Sequence, residues 1–394
     1  MAKREWWQRP RLRTDEESEL ERKVSWLELF FDLYFVVVIA QLANHLATHP
    51  SWAGIGQFVF LFLPVWWVWI GTTYYIERFE TEGIEHRLMI FAQMIPLAGL
   101  GVFAREGLGE TSMGYGLSYA VCRIFQTYLW WRGGYYDRQF RPTAKRFVTG
   151  FSISIALFLL SALVPPPGRF VLWGLGLVID IVTPLFTMQQ QAQLPRFSTS
   201  KLPERYGLFT IIVLGESVVG VVSGLAEKIP LTVLAAMAGI LGIALAFGIW
   251  WIYFDFIGRR PPKPGTGWVF IWGYSHMPLV ISIAATGAGI LNVIADEDGS
   301  LSYAVGLLIA GSIATSLSVM GILELCLRRD PQEPTHPRLS PGLKFAGAGV
   351  ASLFGLLSNG MNVIVLELLL LGVLLVQMGY GLSVWFGQEV DTLL

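Results

Sequence analysis

Residues 24–40 read VSWLELFFDLYFVVVIA. The run stays apolar to about residue 47, and about 20 apolar residues suffice for a helix to cross the hydrocarbon core of a bilayer. Glu28 and Asp32 nevertheless stand inside it, four residues apart. Positions i and i+4 overlie on a helix, so both carboxylates belong to one face. An ionised side chain in hydrocarbon costs about 2.5–3.5 kcal/mol by the mildest scales, so such a face is expected to meet a partner or water.

The same kind of apolar run recurs along the chain. Twelve are read, at about 24–47, 54–75, 86–104, 112–131, 146–164, 169–188, 206–225, 230–257, 268–294, 301–327, 343–359 and 361–386. The composition agrees: 54% of residues are hydrophobic and only 14% are charged, against about a quarter charged in soluble domains. The expected fold class is all-α, a polytopic membrane protein with twelve transmembrane helices. Alternation over about ten residues, the mark of a membrane β-barrel, is missing. The first run follows a charged segment and has no small-residue cleavage site after it, so it reads as a retained helix.

Basic residues test the helix count. If the N-terminus is cytoplasmic, the N-terminal tail and the inside loops hold 24 of the 28 Lys and Arg residues. Three (Arg105, Arg169 and Lys228) fall outside, and Arg123 lies within helix 4. Cytoplasmic loops carry such an excess, and one missed helix would scramble it. Both termini are therefore expected in the cytoplasm, with the bacterial inner membrane as the location.

The chain also reads as duplicated. An ungapped alignment of Asp32 with Glu216 places Trp66-Trp67 on Trp250-Trp251, and AQMIPL (92–97) then matches YSHMPL (274–279) after a small gap. This puts Gln93 beside His276. The expected organisation is a cytoplasmic tail at 1–23, a first six-helix repeat at 24–188, a linker at 189–205, a second repeat at 206–386 and a tail at 387–394. Six helices per copy make the repeats parallel, and substrate sites in such proteins lie near the midplane.

Depth along each helix brings the polar residues into register. Asp32 lies about 12 Å from the cytoplasmic end of its helix, and Glu216 about 15 Å from the end of its own. Gln93, Arg123, Asp180 and His276 fall in the same layer. Arg123 is the expected partner of Asp32, or shares a wet cavity with it. Like charge and burial both disfavour two ionised carboxylates one turn apart, so Glu28 and Asp32 suit proton exchange or the holding of a cation. Trp66, Trp67, Trp250 and Trp251 share this depth and are expected to pack around the site. Each residue also has a structural reading. An Asp–Arg pair fixes helix packing, Glu28 reaches the headgroups, and His276 packs helices. Asp180 satisfies backbone groups freed near Pro184. Glu77, Asp255, Glu324 and Glu367 lie near helix ends and are expected to be solvated.

Soluble-enzyme motifs are missing: there is no P-loop, no dinucleotide glycine fingerprint, no HExxH and no CxxC. Cys122 and Cys326 fall in separate helices without metal-ligand spacing. No catalytic residues, metal or cofactor are expected. The expected partners are membrane lipids and a small solute or ion, protons included; a second copy of the chain stays open, and nothing suggests nucleic acid.

SWLELFFDLYFVVVIAQLA (25–43) and PERYGLFTIIVLGESVV (203–219) resemble the bacterial low temperature requirement protein A family, with support from WWIYFD (250–255) and YSHMPL (274–279). The resemblance spans both halves and implies a multi-helix membrane protein linked to growth in the cold. It places the family's motif acids on Glu28, Asp32 and Glu216. A looser likeness joins FFDLYFVVVIA (30–40) to the first-helix motif of the lysosomal potassium/proton channel family, with Phe31 in place of its Ser. The functional expectation is a proton-coupled transporter using Asp32, Glu216 and His276, the last because its unperturbed pKa suits a switch near neutrality. The alternatives are a cation-selective channel, a membrane-embedded enzyme or a lipid-interacting scaffold.

Overall fold

The computed structural model describes residues 6–15, 23–80, 83–228, 230–258, 260–295, 300–330 and 333–387. Much of the 1–23 tail, including Lys3, Arg4 and Arg22, lies outside the described residues, as do Arg259 and nearly all of the 387–394 tail. Among the described residues, twelve helices of 18 residues or more follow the apolar runs. They are α1 Trp26–Thr48, α2 Trp52–Arg78, α3 Ile84–Ala104, α4 Ser112–Tyr136, α5 Arg141–Ser161 and α6 Gly168–Leu185. After a short helical turn at Met188–Gln191 come α7 Lys201–Ala226, α8 Val233–Phe256, α9 Thr266–Ala295, α10 Tyr303–Cys326, α11 Leu339–Leu356 and α12 Val363–Phe386.

Eleven of these helices are long and apolar enough to cross a membrane. The twelfth, α4, has 25 residues and so the necessary length, but Arg123, Gln126 and Arg132 lower its hydropathy. All three are buried.

The starts of several helices follow from local chemistry. Thr232, Ser302 and Asn362 are N-caps whose side chains accept from Ala235 N, Val305 N and Ile364 N. Each satisfies a backbone donor that the first turn leaves open. Pro64, Pro96 and Pro278 stand inside α2, α3 and α9. Membrane helices tolerate such prolines because neighbours re-satisfy the freed carbonyls.

Outward faces are apolar, the reverse of a soluble bundle. On α1, Leu33 and Val37 are exposed, whereas Phe31, Asp32 and Phe35 are buried. The same holds for Ile95 and Val102 on α3 and for Val365 and Leu368 on α12. Both cysteines are free and buried.

The chain divides into two compact units. The first comprises Met1–His45, Gly56–Arg205 and Gly265–Gly267; the second comprises Leu46–Ile55, Tyr206–Pro264 and Trp268–Leu394. In the first unit α3, α4, α5 and α6 pack consecutively. Here β1 (Arg11–Leu12) pairs antiparallel with β2 (Phe79–Glu80), tying the N-terminal segment to the end of α2. In the second unit α12 packs on α8 and α11, and α10 packs on α11. Helices α7 and α9 approach closely: a Cβ on Gly287 would lie 3.1 Å from Ser217 Cα, so a larger residue there would crowd the α7 backbone. Two hydroxyl pairs join α9 to α10, Ser282–Ser316 and Thr286–Ser312, both at 2.8 Å.

Candidate functional site

Helix α7 begins five residues earlier than its apolar run. The residues before Tyr206 read as linker in the sequence, yet Lys201–Arg205 forms the first turn of the helix. The consequence is chemical. Lys201 and Arg205 are four residues apart, as are Glu28 and Asp32 on α1, so two like-charged i, i+4 pairs of opposite sign face each other.

Their geometry is tight. Arg205 Nη1 donates to Glu28 Oε2 at 2.8 Å and Nη2 to Asp32 Oδ1 at 3.1 Å. Lys201 Nζ donates to Glu28 Oε1 at 2.8 Å, and Ser25 Oγ donates to the same oxygen at 2.8 Å. Trp69 Nε1 on α2 donates to Asp32 Oδ1 at 3.0 Å. Asp32 is fully buried, and its Oδ2 has no hydrogen-bond partner among the described residues. Charge-assisted bonds of this kind are the strong ones, and they hold Glu28 buried inside the protein.

Arg123 is not the partner of Asp32. Its Nη2 donates to Asp180 Oδ1 on α6 at 2.8 Å, and its guanidinium lies over the Phe151 ring at 4.2 Å. Asp180 Oδ2 also accepts from Tyr119 Oη at 2.5 Å and Ser154 Oγ at 2.8 Å. The network runs on from Arg123 to Gln126, whose amide donates to Val68 O and to Thr72 Oγ1, and Gln93 Nε2 donates to that same hydroxyl at 2.8 Å. Gln93, Thr72, Gln126, Arg123 and Asp180 thus form one buried chain across α3, α2, α4 and α6. Asp180, expected only to relieve a kink, is the anion of this chain.

Three acids expected to be solvated are buried. Glu77 accepts from Ser198 N at 2.9 Å and lies 3.5 Å from Arg13. Glu324 pairs with Lys344 at 2.7 Å. Glu367 has no exposed surface, and neither of its oxygens has a partner among the described residues. Packing of a neighbouring helix or of the N-terminal segment covers these helix ends. Asp255 is exposed, as its position suggests.

In the second unit Glu216 sits mid-helix on α7, about 22 Å from Lys201 and about 15 Å from Ala226. It is 5% exposed, with no cation bonded to it, and its Oε2 is buried without a hydrogen-bond partner among the described residues. His276 is fully buried on α9. Its Nδ1 lies 2.8 Å from Trp272 O and its Nε2 3.1 Å from Tyr253 Oη. A carbonyl only accepts, so the network assigns the proton to Nδ1 and makes Tyr253 the donor to Nε2. The rings of Tyr206 and Trp272 enclose it, with centroids 4.5 and 4.6 Å away. Of the tryptophans, Trp66 and Trp67 are buried, with Trp66 5.0 Å from Trp69. Trp251 is half-buried and Trp250 is 39% exposed. Among the described residues no cluster of His, Cys, Asp and Glu could hold a metal ion.

What the arrangement can do follows from the contrast. Among the described residues, the buried acids of the first unit are matched by cations, whereas Glu216 and Glu367 are not. An unpaired anion in hydrocarbon costs far more than a neutral acid, so a lone buried carboxyl must be met by a proton, a cation or water. Sequence reasoning missed Lys201 and Arg205 as partners because they counted as loop charges. The signal available was their i, i+4 spacing, which matches that of the two acids.

Comparison with known proteins agrees with this architecture. The chain matches the family described as bacterial low temperature requirement A protein (LtrA) over residues 23–381. It is also similar to an uncharacterized protein, RA0937, of Rhizobium meliloti (strain 1021), with 30% identity over 312 residues covering 73% of this chain and 72% of the relative. A multi-pass membrane protein on these grounds, with nearly its whole length matched, the chain belongs to the bacterial low temperature requirement A family.

Proposed function

We propose that this protein is a proton-coupled transporter of the bacterial inner membrane for a small solute or ion, built from two parallel six-helix repeats. The observation that carries the reading is Glu216: a mid-membrane carboxyl, buried, without a counter-charge, on the helix that aligns with the one bearing Asp32. Ionisable groups so placed mark proton and ion pathways. Within the second unit, Glu216 then serves as the group that gains and loses a proton, whereas the charge-matched Glu28–Asp32–Lys201–Arg205 cluster of the first unit stays fixed.

The repeat reading has support in the contacts. The ungapped offset that aligns Asp32 with Glu216 also aligns Trp69 with Tyr253. Trp69 donates to Asp32 in the first unit, and Tyr253 donates to His276 in the second, so an aromatic donor at the same position serves a polar residue of a neighbouring helix in each.

Vesicles loaded with a pH-sensitive dye test the function. The purified protein is reconstituted and presented in turn with potassium, sodium, a neutral sugar, an amino-acid mixture and an organic-anion mixture. One class is expected to drive saturable, pH-dependent proton movement. A steady ohmic cation current in its place would establish the channel reading, and no response to any class would reject both.

Topology is tested separately. Both termini are proposed to be cytoplasmic, from the excess of Lys and Arg. On that orientation Glu110→Cys, exposed between α3 and α4, should react with an impermeant maleimide added outside intact cells. Gln193→Cys, exposed before α7, should not react. The reverse labelling would invert the orientation.

A further inference from the structure

We propose that the cleft between α5 and α6 binds the phosphate headgroup of an anionic phospholipid. The cleft, of about 530 Å³, is lined by Lys145, Arg146, Thr149, Gly150, Thr183 and Phe186. Arg146 Nη1 donates to Phe186 O at 2.8 Å and to Gln190 Oε1 at 3.1 Å, which holds the guanidinium at the rim. Lys145 is exposed beside it.

Charge makes the case for an anion. From Arg138 to Pro203 the sequence holds a single acidic residue, Asp180, and Arg123 already engages it. Over the same end of the unit stand Arg138, Arg141, Lys145 and Arg146, all exposed. No ion pair involves Lys145 or Arg146 among the described residues. Basic pockets between membrane helices, with no acid to neutralise them, suit anionic headgroups.

Depth and surroundings favour a lipid over a free anion. Lys145 and Arg146 lie about 6–8 Å along α5 from Arg141, at headgroup depth for a helix that starts at the interface. Trp131, Tyr135, Tyr136 and Phe186 are exposed around this end, as aromatic residues are at membrane–water boundaries. Beyond the cleft the outward faces of the same two helices continue as exposed Ile153 and Leu160 on α5, and Leu175 and Val178 on α6. A phosphate held by Lys145 and Arg146 would therefore have apolar surface on which to lay its acyl chains.

Native mass spectrometry of the delipidated full-length protein in detergent tests this. Phosphatidylglycerol is expected to bind and phosphatidylcholine not to. Lys145→Gln should weaken phosphatidylglycerol binding about fivefold, and Lys145→Gln with Arg146→Gln about 30-fold, each basic contact adding comparably. Arg105→Gln, a cation at the opposite end of the helices, should leave it unchanged. The single Lys145 variant keeps the test sound if loss of the Arg146 bond to Phe186 O disturbs folding. Equal binding of phosphatidylcholine, or phosphatidylglycerol binding that neither variant weakens, would overturn the site. Displacement of phosphatidylglycerol by millimolar inorganic phosphate would make it a site for a free anion and overturn the lipid assignment.

Discussion

Vesicles carrying the Glu216→Gln protein are expected to show proton movement no faster than protein-free vesicles. Gln keeps the length and hydrogen-bonding capacity of Glu but cannot titrate. Glu216 has no cation to lose, since none is bonded to it among the described residues. The substitution therefore leaves no orphaned charge behind, and the protein should insert and fold as before. Glu216→Asp retains a carboxyl one methylene shorter and should recover part of the flux that Gln abolishes. A second readout does not depend on knowing the solute. Infrared difference spectra across a pH jump should contain a carboxylic-acid C=O band that vanishes in Glu216→Gln. Normal flux with the band intact would make Glu216 a packing residue and remove the observation on which the proton-coupled reading stands.

Position along each helix could be counted in this sequence, but lateral neighbours could not. A helix advances about 1.5 Å per residue, so the distance of each polar residue from its helix end can be read by counting. That put Asp32, Gln93, Arg123 and Asp180 at comparable depths. Counting says nothing of which way a side chain points around its axis. Arg123 therefore had two acids, Asp32 and Asp180, equally deep, and depth alone could not choose between them. The azimuth is set by packing: α4 lies against α5 and α5 against α6, and Arg123 meets Asp180 within that group.

Helix ends were the other weak point, because the hydrophobic signal stops before the helix does. The apolar run of α7 starts at Tyr206, but the helix starts at Lys201. The extra turn carries the two cations that neutralise Glu28 and Asp32. The same blindness made Glu77, Glu324 and Glu367 read as solvated. A residue near a helix end is solvated only if nothing covers it. Arg13 beside β1 reaches Glu77, Lys344 at the start of α11 reaches Glu324, and helix packing alone encloses Glu367. The Lys and Arg from which sidedness is argued are thus also structural partners, a role their sequence positions do not display.

The largest expected stability effect tests the corrected pairing. Arg123→Gln leaves the Asp180 carboxylate buried with, among the described residues, only Tyr119 and Ser154 to donate to it. Removing one partner of a buried pair costs about 3–5 kcal/mol, because the other charge stays behind without compensation. Asp180→Asn should cost a comparable amount by stranding the guanidinium. The double variant, Arg123→Gln with Asp180→Asn, buries two neutral amides where a matched pair stood, so no charge is stranded. Its loss should fall well below the sum of the singles, with a coupling near the top of the usual range of about 0.5–3 kcal/mol. Combining Arg123→Gln with Asp32→Asn should give no such rescue, because Asp32 bonds to Arg205 and Trp69 and shares no partner with Arg123. Detergent-based unfolding titrations of six proteins, the wild type, the three single variants and the two doubles, measure both cycles. Rescue by Asp32→Asn but not by Asp180→Asn would reverse the assignment and return Arg123 to the first helix. Rescue by Asp180→Asn alone would make Arg123–Asp180 a fixed pair joining α4 to α6, and leave Arg205 as the cation on which the charge state of Asp32 depends.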